Sequence, residues 1–283
     1  MKKKLLAIGL AVAVLAVTIV GMSIAYFTDT DDATNVFTVG NVHIQLNEQE
    51  RQWDEENETT ILGTFTQNKP LFPIVGSAQG EKDEFGLPTA ANYVDKVITI
   101  KNTGASDAFI RAYFAIPAAL DDGYETYNAG MNILHFNFGN KVDEEGNVYT
   151  TFGTEWLWKN SDDSWKYFET IIDGIAYNVY YADYYQRLAP NGTTERFVDG
   201  VYLDAGVDFD DQGNMTITRY GETTTLDLGD IDLANLDCPV FAIACQAAGF
   251  GSAEQAFTAA FGANYDPWHP DTPWEDTWSN SNN

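Results

Sequence analysis

Two runs on either side of a short turn constrain this chain more than any other feature. Tyr93-Val94-Asp95-Lys96-Val97-Ile98-Thr99-Ile100-Lys101 is rich in β-branched residues, and Ala108-Phe109-Ile110-Arg111-Ala112-Tyr113-Phe114-Ala115-Ile116 is apolar and aromatic. Such composition fits a pleated, buried surface. Between them Asn102-Thr103-Gly104-Ala105-Ser106-Asp107 supplies turn chemistry, and Pro117 stops the second run. The pair reads as a β-hairpin with a loop of several residues.

The same punctuation recurs along the chain. Val42, Ile44 and Leu46 alternate with Asn41, His43, Gln45 and Asn47, the period of a half-buried strand. Glu48 to Glu58 is acidic and reads as a loop or ragged edge, Gly63–Phe65 as a short strand, and Lys69 to Pro88 as a long surface connection. Ile175–Ala182, Phe197–Leu203, Met215–Tyr220 and Val240–Ala247 are further strands, with turns such as Asp143–Asn147 and Ala189–Gly192 between strand-like runs. Many short strands with turn signals predict an all-β sandwich or barrel. One helix is expected. Ser252 as N-cap with Gln255 three residues on makes a capping box, Ala253, Ala256, Phe257, Ala260 and Phe261 form one stripe, and Gly262 closes it. Beyond it, Trp268, Trp274 and Trp278 lie in a Pro-, Asp- and Asn-rich stretch without periodicity, read as a poorly ordered tail over 263–283.

The chain opens with Lys2, Lys3 and Lys4, an apolar run from Leu5 to Gly21, and Ser23-Ile24-Ala25. A positive start, an apolar core and small residues at the −3 and −1 positions make an export signal over 1–25, cleaved before Tyr26. An uncleaved anchor is the rival, because about seventeen apolar residues is the lower edge for a membrane span. The Ser-x-Ala site and the polar stretch 28–35 favour cleavage. Cleavage leaves residues 26–262 as the sandwich domain, followed by the tail. It also leaves a mature end that begins with the aromatics Tyr26 and Phe27. The 15 basic residues fall to 12 while all 42 acidic ones stay, so the net charge moves from −27 to 12 − 42 = −30. Such a surface repels nucleic acid and anionic lipid, so neither is expected as a partner, nor the membrane once cleavage is done.

Little catalytic chemistry is legible. The histidines His43, His135 and His269 lie far apart, and there is no H-E-x-x-H, zinc-spaced cysteine–histidine cluster, G-x-S-x-G or P-loop. Carboxylates are too plentiful for a glycosidase pair to be singled out. Asp208, Asp210 and Asp211 resemble the opening of a calcium loop, but Gln212 stands where Asp or Asn belongs and Arg219 where Glu is required, so an acidic hairpin turn is the better reading. Leu87-Pro88-Thr89-Ala90 is close to a wall-sorting signal but lacks its glycine and lies mid-chain. The seven steps between Cys238 and Cys245 span about 23 Å as a strand, beyond the ~7 Å reach of a disulfide, so both read as buried thiols. No cofactor and no catalytic residue is expected.

The N-terminal block carries a resemblance. Ala25-Tyr26-Phe27-Thr28-Asp29-Thr30 followed by Asn35-Val36-Phe37-Thr38-Val39-Gly40-Asn41-Val42 looks like the start of the TasA/camelysin family, exported proteins of Gram-positive bacteria processed by a dedicated signal peptidase of SipW type. Tyr93–Lys96, Asn102–Gly104 and Asp107–Arg111 resemble that family's strand–turn–strand centre, and Gln246–Phe250 with the Ser252–Gly262 helix is similar to the end of its longer members. The region 118–237 matches nothing comparable. The resemblance implies a jelly-roll-like sandwich with long inserted loops, secreted to the cell surface or extracellular matrix. It further implies a biofilm fibre subunit whose N-terminal segment adds as a strand to the next copy. The donor strand would lie within Tyr26–Thr38, with Tyr26, Phe27, Val36 and Phe37 filling the acceptor groove. Partners would be the signal peptidase during export, then the protein itself or other matrix proteins. Two alternatives stand: a camelysin-like extracellular peptidase, and a monomeric sandwich that binds ligands or carbohydrate through Trp156, Trp158 and Trp165.

Overall fold

A computed structural model describes residues 35–39, 42–66, 69, 71–121, 132–161, 164, 165, 167–211, 214–229, 231 and 236–274. Its strands are β1 (Asn35–Val39), β2 (Ile44–Asp54), β3 (Thr59–Thr64), β4 (Val94–Asp95), β5 (Val97–Asn102), β6 (Ala108–Pro117) and β7 (Leu134–Phe138). There follow β8 (Asn140–Val142), β9 (Val148–Thr150), β10 (Trp156–Trp158), β11 (Asn160–Ser161), β12 (Ser164–Trp165) and β13 (Tyr167–Ile172). The last are β14 (Ile175–Tyr184), β15 (Val198–Leu203), β16 (Val207–Phe209), β17 (Met215–Arg219), β18 (Glu222–Thr225) and β19 (Val240–Gln246), before the helix α1 (Ala253–Phe261).

A central sheet runs in the order β1-β19-β6-β14-β10, with β13 also paired to β14. Facing it are β3-β2-β5 and β4-β15-β7. These two join into one layer because the chain ahead of β15 runs along β5, with Thr194 N–H donating to Ile100 O (2.9 Å) and Phe197 N–H to Ile98 O (2.8 Å). Gly200 permits close approach of β15 to β4: a Cβ on it would lie 2.4 Å from the Val94 carbonyl oxygen. The result is a sandwich of open, mostly antiparallel sheets and not a barrel.

Every residue of β6 is buried, and its alternation explains why. Ile110, Ala112, Phe114 and Ile116 enter the core between the layers, with Leu46, Ile98, Ile100 and Phe197. Phe109, Tyr113 and Ala115 enter a second core on the outer face, closed by Phe257 of α1. Both faces of this sheet are therefore covered, the arrangement that lets a strand read as a continuous apolar run.

The structure revises several expectations. The two runs at 93–116 do not form a hairpin. β5 pairs with β2, and β6 pairs with β14 and β19, so the Asn102–Asp107 turn carries the chain from one layer to the other. Each strand sends apolar side chains into the same core, but from opposite layers. The Asn102 side chain fixes the crossing by donating to Ser106 O and Leu188 O, both at 2.9 Å. The first run is also divided, with β4 on β15 and β5 on β2. The acidic stretch expected to be loop continues β2 as far as Asp54, because Arg51 is neutralised by Asp95 (2.6 Å) and Asp83 (2.8 Å). Trp156 and Trp158 are not exposed platforms. They are core residues, with Trp158 stacked on Phe197 at 4.6 Å between ring centres. The side chain of Trp165 lies outside the described set.

Candidate functional site: the outer edge of the central sheet

β19 is uncharged from Val240 to Gln246, and its two faces are distributed between the two cores. Val240, Ala242 and Ala244 join the inner one, and Phe241, Ile243 and Cys245 the outer one. One edge of this strand pairs with β6. The other is taken by β1, which runs parallel to it in a register that matches Asn35 with Phe241, Phe37 with Ile243 and Val39 with Cys245. The other strand pairings of this sheet are antiparallel. β1 is thus a five-residue end strand held by a single neighbour, while the next element, β2, belongs to the opposite layer. Without β1 the unpaired N–H and C=O groups of β19 would be an open template for another chain.

Two devices hold the outer face behind this edge. The first is a charged clamp. Arg111 of β6 is buried, donates to both Asp183 oxygens (2.5 and 3.1 Å) and reaches Glu254 in the first turn of α1 (3.1 Å). Its guanidinium lies between the rings of Tyr181 and Phe257, 5.1 and 4.7 Å from their centres. Lys159 joins through Asp183 (3.0 Å) and Glu254 (2.9 Å). Burial alone would weaken the Arg111 charge, but the bond to Asp183 outweighs it and the proton is held more firmly than usual. Helix α1 is seated by this clamp and by its own ends. Ser252 Oγ accepts from Gln255 N–H (3.3 Å), and the Gly262 N–H donates to Thr258 O, with Gly262 at φ 86°. Ala256 and Phe257 are the buried members of the expected stripe, while Ala260 faces solvent.

The second device is a strap, where a disordered tail from 263 was expected. Residues 264–274 pack on the outer core: Trp268 meets Tyr113 and Phe241 edge-on, and Trp274 stacks on Phe168 at 5.2 Å. The strap is latched by the buried Asp266 carboxylate, whose Oδ2 accepts from Thr170 (2.5 Å) and lies 3.1 Å from His269 Nδ1. Its Oδ1 accepts from the Trp268 N–H (2.9 Å). Residues 275–283, with Trp278, lie outside the described set. The sequence offered one clue to the strap. Three tryptophans are costly to leave in water.

The cleavage residues Ser23, Ala25 and Tyr26 and the donor residues Tyr26 and Phe27 also lie outside the described residues, whereas Val36 and Phe37 sit in β1. Asp208 is at an exposed position of β16, and its Oδ1 accepts from Phe209 N–H. Asp210 accepts from the backbone and side chain of Asn214 (2.8 and 2.9 Å), as a turn-capping carboxylate does. Asp211 is exposed, and β16 and β17 form the hairpin this stretch predicted. Cys238 and Cys245 are free, buried and in different cores, and burial pushes each thiol up to about 12.

The family model described as camelysin metallo-endopeptidase matches residues 1–52. That stretch covers the expected export signal, β1 and most of β2, and the match supports the TasA/camelysin family and is consistent with a secreted cell-surface protein. No curated protein and no solved structure matches the chain. A metallopeptidase would need a cluster of metal ligands, and the residues described do not fit one. His43 is exposed on its own, His135 stacks on Tyr202 and pairs with Asp204, and His269 serves the strap latch. Among the described residues no group of three or more His, Cys, Asp or Glu side chains is placed to hold a metal ion. Among them, too, no helix is long and apolar enough to cross a membrane.

Proposed function

We propose that this is an exported structural protein of the cell surface or extracellular matrix, a fibre subunit that assembles by exchanging its N-terminal strand between copies. The observation that carries the reading is the parallel seat of β1 on β19 at the end of an otherwise antiparallel sheet. A strand held by one neighbour and joined to the domain by a short linker can make the same pairing with the next copy. Main-chain hydrogen bonds would then supply affinity without new chemistry. The camelysin-family match over the same N-terminal residues supports this reading.

Repulsion opposes assembly, since the mature chain carries about thirty excess negative charges. Mild acid and raised salt should therefore promote it. The test is electron microscopy of purified protein beginning at Tyr26, beside a variant lacking Tyr26–Thr38. Filaments formed by the first and not the second are expected. Filaments that persist unchanged in the deletion would rule out strand exchange.

The family description favours one second reading, a metal-dependent endopeptidase. Chelator-sensitive casein cleavage by rigorously pure protein would establish it against the fibre reading.

A further inference from the structure

The strap on the outer face is placed so that it bears on the seat of β1. Trp274 N–H donates to Asn264 O (2.9 Å), so residues 264–274 close into a compact loop of the kind that often serves function. This loop lies across the strands. At one end Trp274 stacks on Phe168 and Asp266 accepts from the Thr170 hydroxyl, both on β13. At the other end Trp268 meets Tyr113 of β6 and, at 5.7 Å between ring centres, Phe241 of β19. β14 and β6 separate β13 from β19, so the span is three strand spacings, about 14 Å. Burying the Asp266 carboxylate is costly unless its bonds are filled. One oxygen is anchored by Thr170 and the other accepts from the N–H of Trp268 itself, so the network fixes where the indole stands.

The two halves of β19 are covered differently. Its end is secured by α1. Ile243 is aligned with Arg111, whose guanidinium lies against Phe257, and just beyond the strand Ala247 N–H donates to Asp107 O (2.9 Å). Its start lies under Trp268, in the row that aligns Asn35 of β1 with Phe241 and Phe241 with Tyr113. When β1 is away, the outward backbone groups of β19 lose their partners, and a strand held from one side opens locally at little cost.

We infer that the strap braces the empty seat: Trp268, set in place by Asp266, keeps the first half of β19 on β6 so that an incoming strand meets a formed template. The inference rests on the strand-exchange reading and makes Trp268 and Asp266 positioning residues for it. A template already formed spares the incoming strand the cost of ordering β19. The brace acts through a side chain on the outer face, so the backbone edge stays free for the strand.

Hydrogen exchange read by mass spectrometry, on the monomeric chain beginning at Tyr26, tests the brace. Val36→Pro with Phe37→Pro empties the seat. Neighbouring residues of a strand alternate in bonding, so one of the two prolines removes a ladder donor. With β1 native, Trp268→Ala should change exchange over Val240–Ile243 less than threefold. In the emptied chain it should speed exchange there tenfold or more and leave Ala244–Gln246 little changed. Trp268→Phe keeps a ring over Phe241 and should restore most of the protection. Circular-dichroism melts establish that each variant is folded. A role in stability alone predicts the same fold-change in both chains, so equal effects overturn the inference. Exchange in the emptied chain that ignores Trp268, or that is already complete with the indole present, overturns it too. Filament growth by the chain with native β1 should slow tenfold with Trp268→Ala. Coupling seen in a chain that forms no filaments supports the brace and rules out the exchange it serves. Filaments that grow at the native rate in Trp268→Ala overturn the brace and leave strand exchange standing.

Discussion

Replacing Arg111 by methionine tests the clamp most directly. The substitution keeps volume and apolar packing against Tyr181 and Phe257 but removes the cation between them. Asp183 is 4% exposed and loses two hydrogen bonds, retaining Lys159 at 3.0 Å. Removing one partner of a buried pair costs about 3–5 kcal/mol, and the surviving Lys159 bond places this case near the lower end, about 3 kcal/mol. For a domain of this size each kcal/mol lowers Tm by about 2–4 °C, so a fall of roughly 6–12 °C is expected by calorimetry or circular dichroism. The double variant Arg111→Met/Asp183→Leu removes the stranded carboxylate and should recover most of the loss. Glu254→Gln, at the exposed end of the network, should cost little. The pH dependence has a definite sign. Burial works against the Glu254 charge, but bonds from Lys159 and Arg111 hold its carboxyl below the ordinary glutamate value. Its contribution is therefore present above that value, about 4.3, and lost as the pH falls through the folded-state pKa. A Tm change under about 3 °C in Arg111→Met, or a double variant worse than the single one, would refute the idea that charge pairing seats α1.

Three further outcomes are expected. Native protein should resist thiol-specific alkylation at pH 8 and take up two equivalents once denatured, since both thiols are buried and pushed up to about 12. Asp199 is raised to about 7 by burial, so its stabilising uncharged form is lost as pH rises from about 4 through 7. Asp199→Asn should accordingly raise Tm at pH 8 and leave it nearly unchanged at pH 4. Asp266→Ala opens the strap latch by removing the acceptor of both the Thr170 hydroxyl and the Trp268 N–H, which should cost about 1–3 kcal/mol in urea unfolding and increase tryptophan exposure to quenchers.

The class of fold was legible because it rests on local period and turn chemistry. β14, β15 and β19 begin and end near where β-branched runs and turn residues put them, and β2 begins within its alternating stretch. Partner choice was not legible. A local pattern says that Ile98 and Phe114 face a core, but not that they face it from opposite layers. The extension of β2 through Glu48, Glu50 and Arg51 also escaped prediction, because its charges are compensated by Lys96, Lys69, Asp95 and Asp83, which lie 19 to 48 residues away. Arg111 could be read as a strand residue, yet its burial depends on Asp183 and Glu254, far along the chain. At the candidate site, the sequence pointed to Val36 and Phe37 through family likeness, and their pairing partner β19 emerged only from the topology.

The crossing turn at Asn102–Asp107 bears on the timing of folding. Because β5 and β6 do not pair with each other, β6 must wait for strands far along the chain. Phe114 aligns with Tyr180, 180 − 114 = 66 residues later, and with Val240, 240 − 114 = 126 residues later. Closing such distant pairings costs entropy before any contact repays it, and chains dominated by them fold slowly. The central sheet also cannot be completed until β19, near the end of the chain, has been synthesised. A protein built this way cannot close its central sheet while its N-terminal half is being made, and a chain short of its final fold is the form that can be threaded through an export channel.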